Sequence, residues 1–288
     1  CDMVNSKFEK SDFSQARIEA SRLDFASFKE CEITLQTIHF RDNTDPRVLV
    51  RICRNLKLNA MSMGHFADAG AICIVTYNSG EKAARDLVAK LPGKGHAVAH
   101  IPVDDSAALN ALAADVQAKH GRLDVLVNCA GITRYVPHDD LDALDDRLID
   151  DIFRVNWRGP FAAVRAFRKL LATGGDGLVI NISSIAGVTA MGSNVAYCAS
   201  KAALDSMTKS LARALAPEIR VVSISPGLVD TDFVKGLDKK WRDEQAARTP
   251  LKRLATADEI GAAALAVVAH LHCSTGCIIA IDGGRPLA

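Results

Sequence analysis

The sequence predicts an α/β fold, a doubly wound parallel sheet with helices on both faces, in a single domain. Three observations carry this. From residue 71 onward, short apolar runs (AICIVT, HAVAHIPV, LDVLVN, GLVINI, IRVVSIS, CIIAI) alternate with stretches of helical periodicity, the pattern of strands joined by crossover helices. Most of the runs are near-continuously apolar, as in strands covered on both faces. Setting aside residues 1–46 leaves 242 of the 288 residues, within the roughly 200–250 that one α/β domain often uses.

Taken in order, Arg47-Val48-Leu49-Val50-Arg51-Ile52 is the candidate first strand. AICIVT is the next, leading to Tyr77, Asn78 and Ser79, with Glu81 opening a helix. HAVAHIPV ends at Asp104 and Asp105, and LDVLVNCAG runs into Asn128, Cys129, Ala130 and Gly131. DIFRVNWRGPF places Asn156 in the helix that follows. LVINISSIAG delivers Ser183 and Ser184 to a strand's carboxyl end, where open α/β sheets bind their ligands. IRVVSISPGLVDTDF is closed by Pro226-Gly227, with Val229 and Thr231 beyond. Residues 228–255 are charged and interrupt the alternation, and a long insertion between core elements is often functional. CIIAIDGG reads as a closing core strand.

Between the serines and Pro226 lies NVAYCASKAALDSMTKSLARALA, where Tyr197 precedes Lys201 by four residues. On a helix that spacing puts both side chains on one face. A tyrosine titrates near pH 10, and lowering this by about three units takes roughly 4 kcal/mol of preferential phenolate stabilisation. One ammonium at about 4 Å, at an effective dielectric near 20, supplies roughly that much. The pair therefore predicts a phenol able to exchange a proton near neutrality.

On these residues the chain, over roughly 66–288, resembles the compact members of the short-chain dehydrogenase/reductase family. The intervals agree: Ser184 precedes Tyr197 by 13 residues, and Asn156 precedes Ser184 by 28. The resemblance implies a Rossmann-like fold and a metal-free, nicotinamide-dependent interconversion of a secondary alcohol and a ketone. It implies Tyr197 as acid/base, Lys201 as its activator and ribose anchor, Ser184 as donor to the substrate oxygen and Asn156 as relay. It also implies a dinucleotide site made from Asn78, Ser79, Asp104, Asp105, Asn128, Ala130 and Gly131, with Tyr197 and Lys201. Pro226, Gly227, Val229 and Thr231 match the segment that holds the nicotinamide amide, and the resemblance implies a mobile lid over the substrate at residues 228–255. NCAG stands where the family usually has NNAG. An acidic residue at the end of AICIVT would favour NAD and repel a 2′-phosphate. None stands there, so NADP(H) is expected, with NAD(H) as the alternative. The nearest styles are 3-oxoacyl-carrier-protein reductases and sugar or polyol dehydrogenases. The basic pair of the former would fall near Gly175 and Glu218, which argues against docking of a carrier protein.

The resemblance fails at the cofactor turn. A dinucleotide enzyme needs a glycine-rich loop after its first strand, so that backbone can approach the pyrophosphate. Residues 52–60 read ICRNLKLNA, with no glycine, although Arg54 and Lys57 bring positive charge. Residues 1–46 form an atypical extension, in which ECEITL hints at a strand. Two explanations stay open: a divergent cofactor site, or an N-terminal stretch read out of frame until near His65 or Phe66. The first leaves a rival to the enzyme, a silent relative that no longer binds dinucleotide. The same Tyr/Lys pair in an epimerase or dehydratase would call for an additional substrate domain.

Composition bounds the rest. With 49% apolar residues and a formal charge of +1, a large core is expected, without the basic patch that nucleic acid or an anionic membrane would call for. The apolar runs fall short of a membrane span, and no secretory signal opens the chain. The eight cysteines read as reduced residues of a cytoplasmic enzyme. His270, His272, Cys273 and Cys277 are zinc-ligand types, but their spacing lacks a recognised second half, so no metal is expected. Around Asn156 to Leu171 and Val195 to Ala216 there are more apolar and small residues than one core stripe needs. This predicts a homo-oligomer, a tetramer as in the family, acting on a small-molecule carbonyl or alcohol.

Overall fold

The apolar runs form strands largely where the sequence places them. The computed structural model describes residues 7–9, 27–29, 48–52, 63–230 and 239–287, and the chain divides into two compact units, Cys1–Pro46 and Arg47–Ala288. In the first unit, β1 (Lys7–Glu9) and β2 (Ser27–Lys29) pair in parallel, two short strands that the sequence did not announce. ECEITL lies outside the described residues.

Arg47–Ala288 is an α/β fold of one domain. Its strands are β3 (Val48–Ile52), β4 (Ile72–Tyr77), β5 (Ala97–His100), β6 (Val125–Asn128), β7 (Gly177–Ile182), β8 (Ile219–Pro226) and β9 (Ile278–Ile281). All pairings are parallel, in the order β5-β4-β3-β6-β7-β8-β9. The strand order reverses between β3 and β6, so a crevice opens beyond their carboxyl ends, where folds of this kind bind ligands.

Alternate strand residues feed two cores. Ile74, Leu126, Val179 and Val221 face the helices Ser106–His120 and Gly159–Ala172, which bring Leu109, Leu112, Val116 and Phe167. Val75, Val127, Ile180 and Val222 point the other way, toward Met63 and Phe66 of the helix at 63–68 and Ile260 and Val267 of the helix Ala257–Ala269. Phe167 is fully buried; a side chain of that size contributes on the order of 2 kcal/mol when taken out of water. Sheet covered on both faces is what the near-continuous apolar runs required.

The helix ends follow local chemistry. Asp105 caps Ser106–His120 by accepting from the N–H groups of Ala107 (2.9 Å) and Ala108 (3.0 Å). Gly121 closes the helix at φ 71°, in the left-handed region that a Cβ disfavours. CIIAI differs from its expectation: β9 is a half-buried edge strand, because only β8 flanks it.

Candidate active site

The site is built on a row of registered strand ends. Asn128 of β6 stands opposite Asn181 of β7, which stands opposite Ser223 of β8. Asn128 Nδ2 donates to Asn181 Oδ1 (2.9 Å), Asn181 Nδ2 donates to Thr208 Oγ1 (2.9 Å), and Thr208 Oγ1 meets Ser223 Oγ at 2.9 Å. All four residues are buried, and buried polar groups persist when they bond one another. The ladder ties the helix Val195–Leu215 to three strands, fixing its height above the sheet. Asn181, Thr208 and Ser223 did not stand out in the sequence. Polar residues inside apolar strand runs were the available signal.

The same helix carries Tyr197 and Lys201. Its N-cap is Asn194, whose side chain accepts from the Tyr197 N–H (2.7 Å) and donates to Thr133 Oγ1 (3.2 Å) and the Arg134 carbonyl (2.7 Å). The start of the helix is thereby stitched to the loop after NCAG. Gly187 allows the loop after β7 to lie against the helix, since a Cβ there would come within 2.9 Å of the Ala202 nitrogen.

Ser184 follows β7 and faces the Tyr197 phenol. Its Oγ accepts from the Ala186 N–H (3.2 Å), which leaves its hydroxyl proton free to point at the phenol oxygen. Burial pushes the Tyr197 phenol above its usual range and Ser184 draws it only partly back, so the lowered phenol expected from the Tyr197/Lys201 spacing is corrected. Lys201 is also buried and, chiefly for that reason, its ammonium is held down to about 8. Its Nζ donates to the Ile182 carbonyl (2.8 Å) and lies 5.8 Å from the centre of the Tyr197 ring. The flexible lysine thus reaches a backbone carbonyl at the end of the strand. Ser183 turns away from the phenol and donates to the Lys201 carbonyl (3.4 Å).

Asn156 sits in a π-helical turn, Arg154–Arg158, a form often found at functional sites. Its Oδ1 accepts from the Ile132 N–H (2.8 Å) while Nδ2 donates to the Ile132 carbonyl (3.1 Å) and Ser200 Oγ (3.0 Å). A Cβ at Gly131 would stand 3.6 Å from Asn156 Oδ1 and 3.7 Å from Lys201 Nζ. The structure thus brings Gly131, Asn156, Ser184, Tyr197 and Lys201 to one end of the sheet.

The other predicted residues are more dispersed. Asp105 is engaged as a helix cap, and Asp104 pairs with Arg154 Nε (3.0 Å) and accepts from Arg158 at its carbonyl (3.3 Å), anchoring the turn that carries Asn156. Asn78 follows β4 and its carbonyl accepts from His100 (3.0 Å), with Ser79 exposed beside it. Glu81, one turn further, is held below the usual carboxylate range by Arg85 Nε at 2.8 Å and reaches back to the Tyr77 hydroxyl. Ala130 is buried behind Asn128. Pro226 ends β8, and at Gly227 a Cβ would come 3.0 Å from the Asp282 Cα. Val229 bridges to Ala255. Thr231 and the loop with Arg54 and Lys57 lie outside the described residues, as does part of the expected lid. His270 caps the helix Ala257–Ala269, His272 bonds the Ala269 carbonyl (3.0 Å), and Cys277 leads into β9. Among the described residues, no three or more His, Cys, Asp or Glu side chains converge on a point that would hold a metal.

A dinucleotide fits these residues. Lys201 is a buried ammonium with three donors and, among the described residues, one bonded acceptor; the rest suit the hydroxyls of a ribose. Gly131 and Ala130 present little side chain beside it.

Comparison with known proteins bears on this arrangement. The family model described as Enoyl-(Acyl carrier protein) reductase matches residues 63–285. The chain is 34% identical over 225 residues to D-threitol dehydrogenase of Mycolicibacterium smegmatis, covering 76% of this chain and 85% of that one. It is 31% identical over 228 residues to 3-oxoacyl-[acyl-carrier-protein] reductase FabG of Chlamydia muridarum, covering 76% and 89%. The crystal structure of a short-chain dehydrogenase/reductase, glucose/ribitol dehydrogenase, from Brucella melitensis superimposes with a TM-score of 0.77 at 26% identity, covering 83% of this chain and 96% of that one.

Proposed function

Because the chain belongs to the short-chain dehydrogenase/reductase family, we propose that it is an NADP(H)-preferring oxidoreductase interconverting a secondary alcohol and a ketone, with NAD(H) as the weaker cofactor. The observation that carries the reading is Ser184 facing the Tyr197 phenol at the carboxyl end of β7, one helical turn before Lys201.

When bound, the nicotinamide supplies or accepts the hydride. Gly131, Asn128, Lys201 and the segment from Pro226 through Val229 to Thr231 would hold it, with Asn78 and Ser79 toward the adenosine end. Asp104 and Asp105 border the same end through the turn they anchor. Ser184, its oxygen already occupied as acceptor, donates to the substrate oxygen and stabilises charge appearing there. Tyr197 gives that oxygen its proton in reduction and takes it back in oxidation. Lys201 lowers the cost of the phenolate and anchors the ribose. Asn156 holds the loop at Ile132 against the helix and relays the proton outward. The Glu81–Arg85 pair leaves no unpaired acid at the end of β4 to repel a 2′-phosphate, which supports the NADP preference.

The substrate class is a small polar or acyl carbonyl, in keeping with relatives named as a threitol dehydrogenase and a 3-oxoacyl reductase. The working form is a homotetramer. Trp157 and Phe161, each 37% exposed and stacked at 5.9 Å, offer an apolar surface for a second copy, and sedimentation at 30.8 kDa alone would exclude it. Among the described residues no helix is long and apolar enough to cross a membrane, and a cytoplasmic location is part of this reading. Residues 1–46 are an extension to the catalytic domain 47–288. The deciding experiment follows NADPH fluorescence on titration and then its oxidation with a β-keto ester or a ketose. Neither binding nor turnover at millimolar cofactor would leave the silent relative as the reading.

A further inference from the structure

Asp205 is a buried carboxylate that the chemistry above does not use. It is 5% exposed, and neither of its carboxylate oxygens has a hydrogen-bond partner among the described residues. It stands one helical turn beyond Lys201, also 5% exposed, so the two project from one face of the helix. An ionised carboxylate is tolerated in such a place only beside a compensating charge.

The groups around the pair come from four elements. Asp205 is faced by Lys201 and Lys209 of its own helix, by the Ser183 hydroxyl after β7 and by the Ser223 hydroxyl on β8. Lys201 is faced by the Cys129 thiol after β6 and by Asp205. Both serine hydroxyls are engaged elsewhere, Ser183 with the Lys201 carbonyl at 3.4 Å and Ser223 with Thr208 at 2.9 Å. Lys209 is exposed, so Lys201 is the buried cation.

We propose that Asp205 is a positioning residue for the reaction, the buried counter-charge that keeps the Lys201 ammonium protonated and aimed at the end of β7. This rests on the reading of Lys201 as the catalytic lysine. Burial alone drives Lys201 down, and the charges of Cys129 and Asp205 hold it up, leaving it at about 8. Burial likewise raises Asp205, while the serine hydroxyls and then Lys201 draw it back. A negative neighbour favours the protonated amine, so removing it makes Lys201 lose its proton at lower pH.

The test labels lysine ε-carbons in the full chain and follows Lys201 by NMR, the resonance being assigned from its loss in Lys201→Met. In Asp205→Asn the Lys201 midpoint should fall by about one unit or more, and in Asp205→Glu it should return toward the parent value. An unchanged midpoint in Asp205→Asn overturns the proposal. If that variant does not fold, the parent curve decides: Lys201 must show a second, smaller inflection in the acid range as Asp205 protonates, and a single step overturns it. The readout needs no turnover, so it is separable from the function. With turnover, the alkaline limb of kcat/KM should move in Asp205→Asn by the same interval as the NMR midpoint. A parent protein with the NMR coupling but no turnover would leave the charge pair standing and the oxidoreductase reading refuted.

Discussion

Lys201 directs its ammonium at the carbonyl oxygen of Ile182, 2.8 Å away, although Tyr197 lies one turn before it on the same helix. The lysine thus sits where β7 ends and the crevice beyond the strand ends begins. This position has a cost, because the ammonium is buried, and the pH dependence of that cost runs against the pH dependence of activity.

Lys201 is held to about 8 in the folded chain, against roughly 10.4 when unfolded. Below pH 8 both states carry the charge and the folded state bears the whole desolvation cost. Between about 8 and 10.4 the unfolded state binds more protons, so stability rises with pH. Thermal melts should therefore show the parent gaining stability relative to Lys201→Met between about pH 8 and 10. Activity should fall over the same interval as the ammonium is lost. A difference that stays constant from pH 7 to 10 would show that Lys201 holds its proton as tightly in the fold as in the unfolded chain, and that burial does not lower it.

Ser184 faces the Tyr197 phenol, whereas Ser183 bonds the helix backbone. Tyr197→Phe should lower turnover by roughly 10²-fold or more, as expected of a lost general acid, with an unchanged circular dichroism spectrum. Ser184→Ala should lower kcat, and Ser183→Ala should act mainly on stability. Equal loss of kcat at both serines would point to disturbance of the loop rather than to a donor at Ser184.

The parts of this site that were legible in the sequence depend on local spacing. Tyr197 and Lys201 declare themselves because four residues is about one helical turn, and Ser184 because a strand-like run ends just before it. Asn194 was also open to reading, an Asn directly before an apolar helix being a common N-cap. The Asn128–Asn181–Ser223 row was not, since it exists only once β6, β7 and β8 pair in a particular register. The π-helical turn at Asn156 leaves no mark in composition. Where the Lys201 ammonium points was equally hidden, because a four-carbon side chain chooses among acceptors that only tertiary structure supplies.

The helix Ala257–Ala269 opens with a reciprocal cap in which Thr256 Oγ1 accepts from the Glu259 N–H (3.2 Å) and Glu259 accepts from the Thr256 N–H (2.8 Å). Arg253 and the cap hold Glu259 at about 2, below the usual value near 4.3. A depressed carboxylate contributes stability that is present above its unfolded pKa and is lost as pH falls toward 2. The carboxylate is 38% exposed, so solvent screening limits the pair with Arg253 to about 1 kcal/mol or less. Thr256→Ala should cost about 1 kcal/mol in urea melts at pH 7, and Glu259→Gln should lose its deficit against the parent between pH 4.5 and 2. A deficit unchanged by acid would assign the loss to packing.

The last prediction concerns the stretch ICRNLKLNA, residues 52–60, and follows from geometry. Backbone N–H groups cradle a pyrophosphate only where no Cβ stands in the way, and this stretch has no glycine. Each charge-assisted hydrogen bond lost from the phosphates costs roughly 1.5–3 kcal/mol, and losing two weakens binding by about 10²-fold to 10⁴-fold. The chain should therefore bind NADPH poorly, and replacing residues 52–60 with a glycine-rich turn should restore both affinity and turnover. Calorimetry on the unmodified chain decides the matter. Micromolar or tighter affinity would mean that Arg54 and Lys57 compensate as point charges, in which case neutralising both should abolish binding while the glycine-rich replacement gains little.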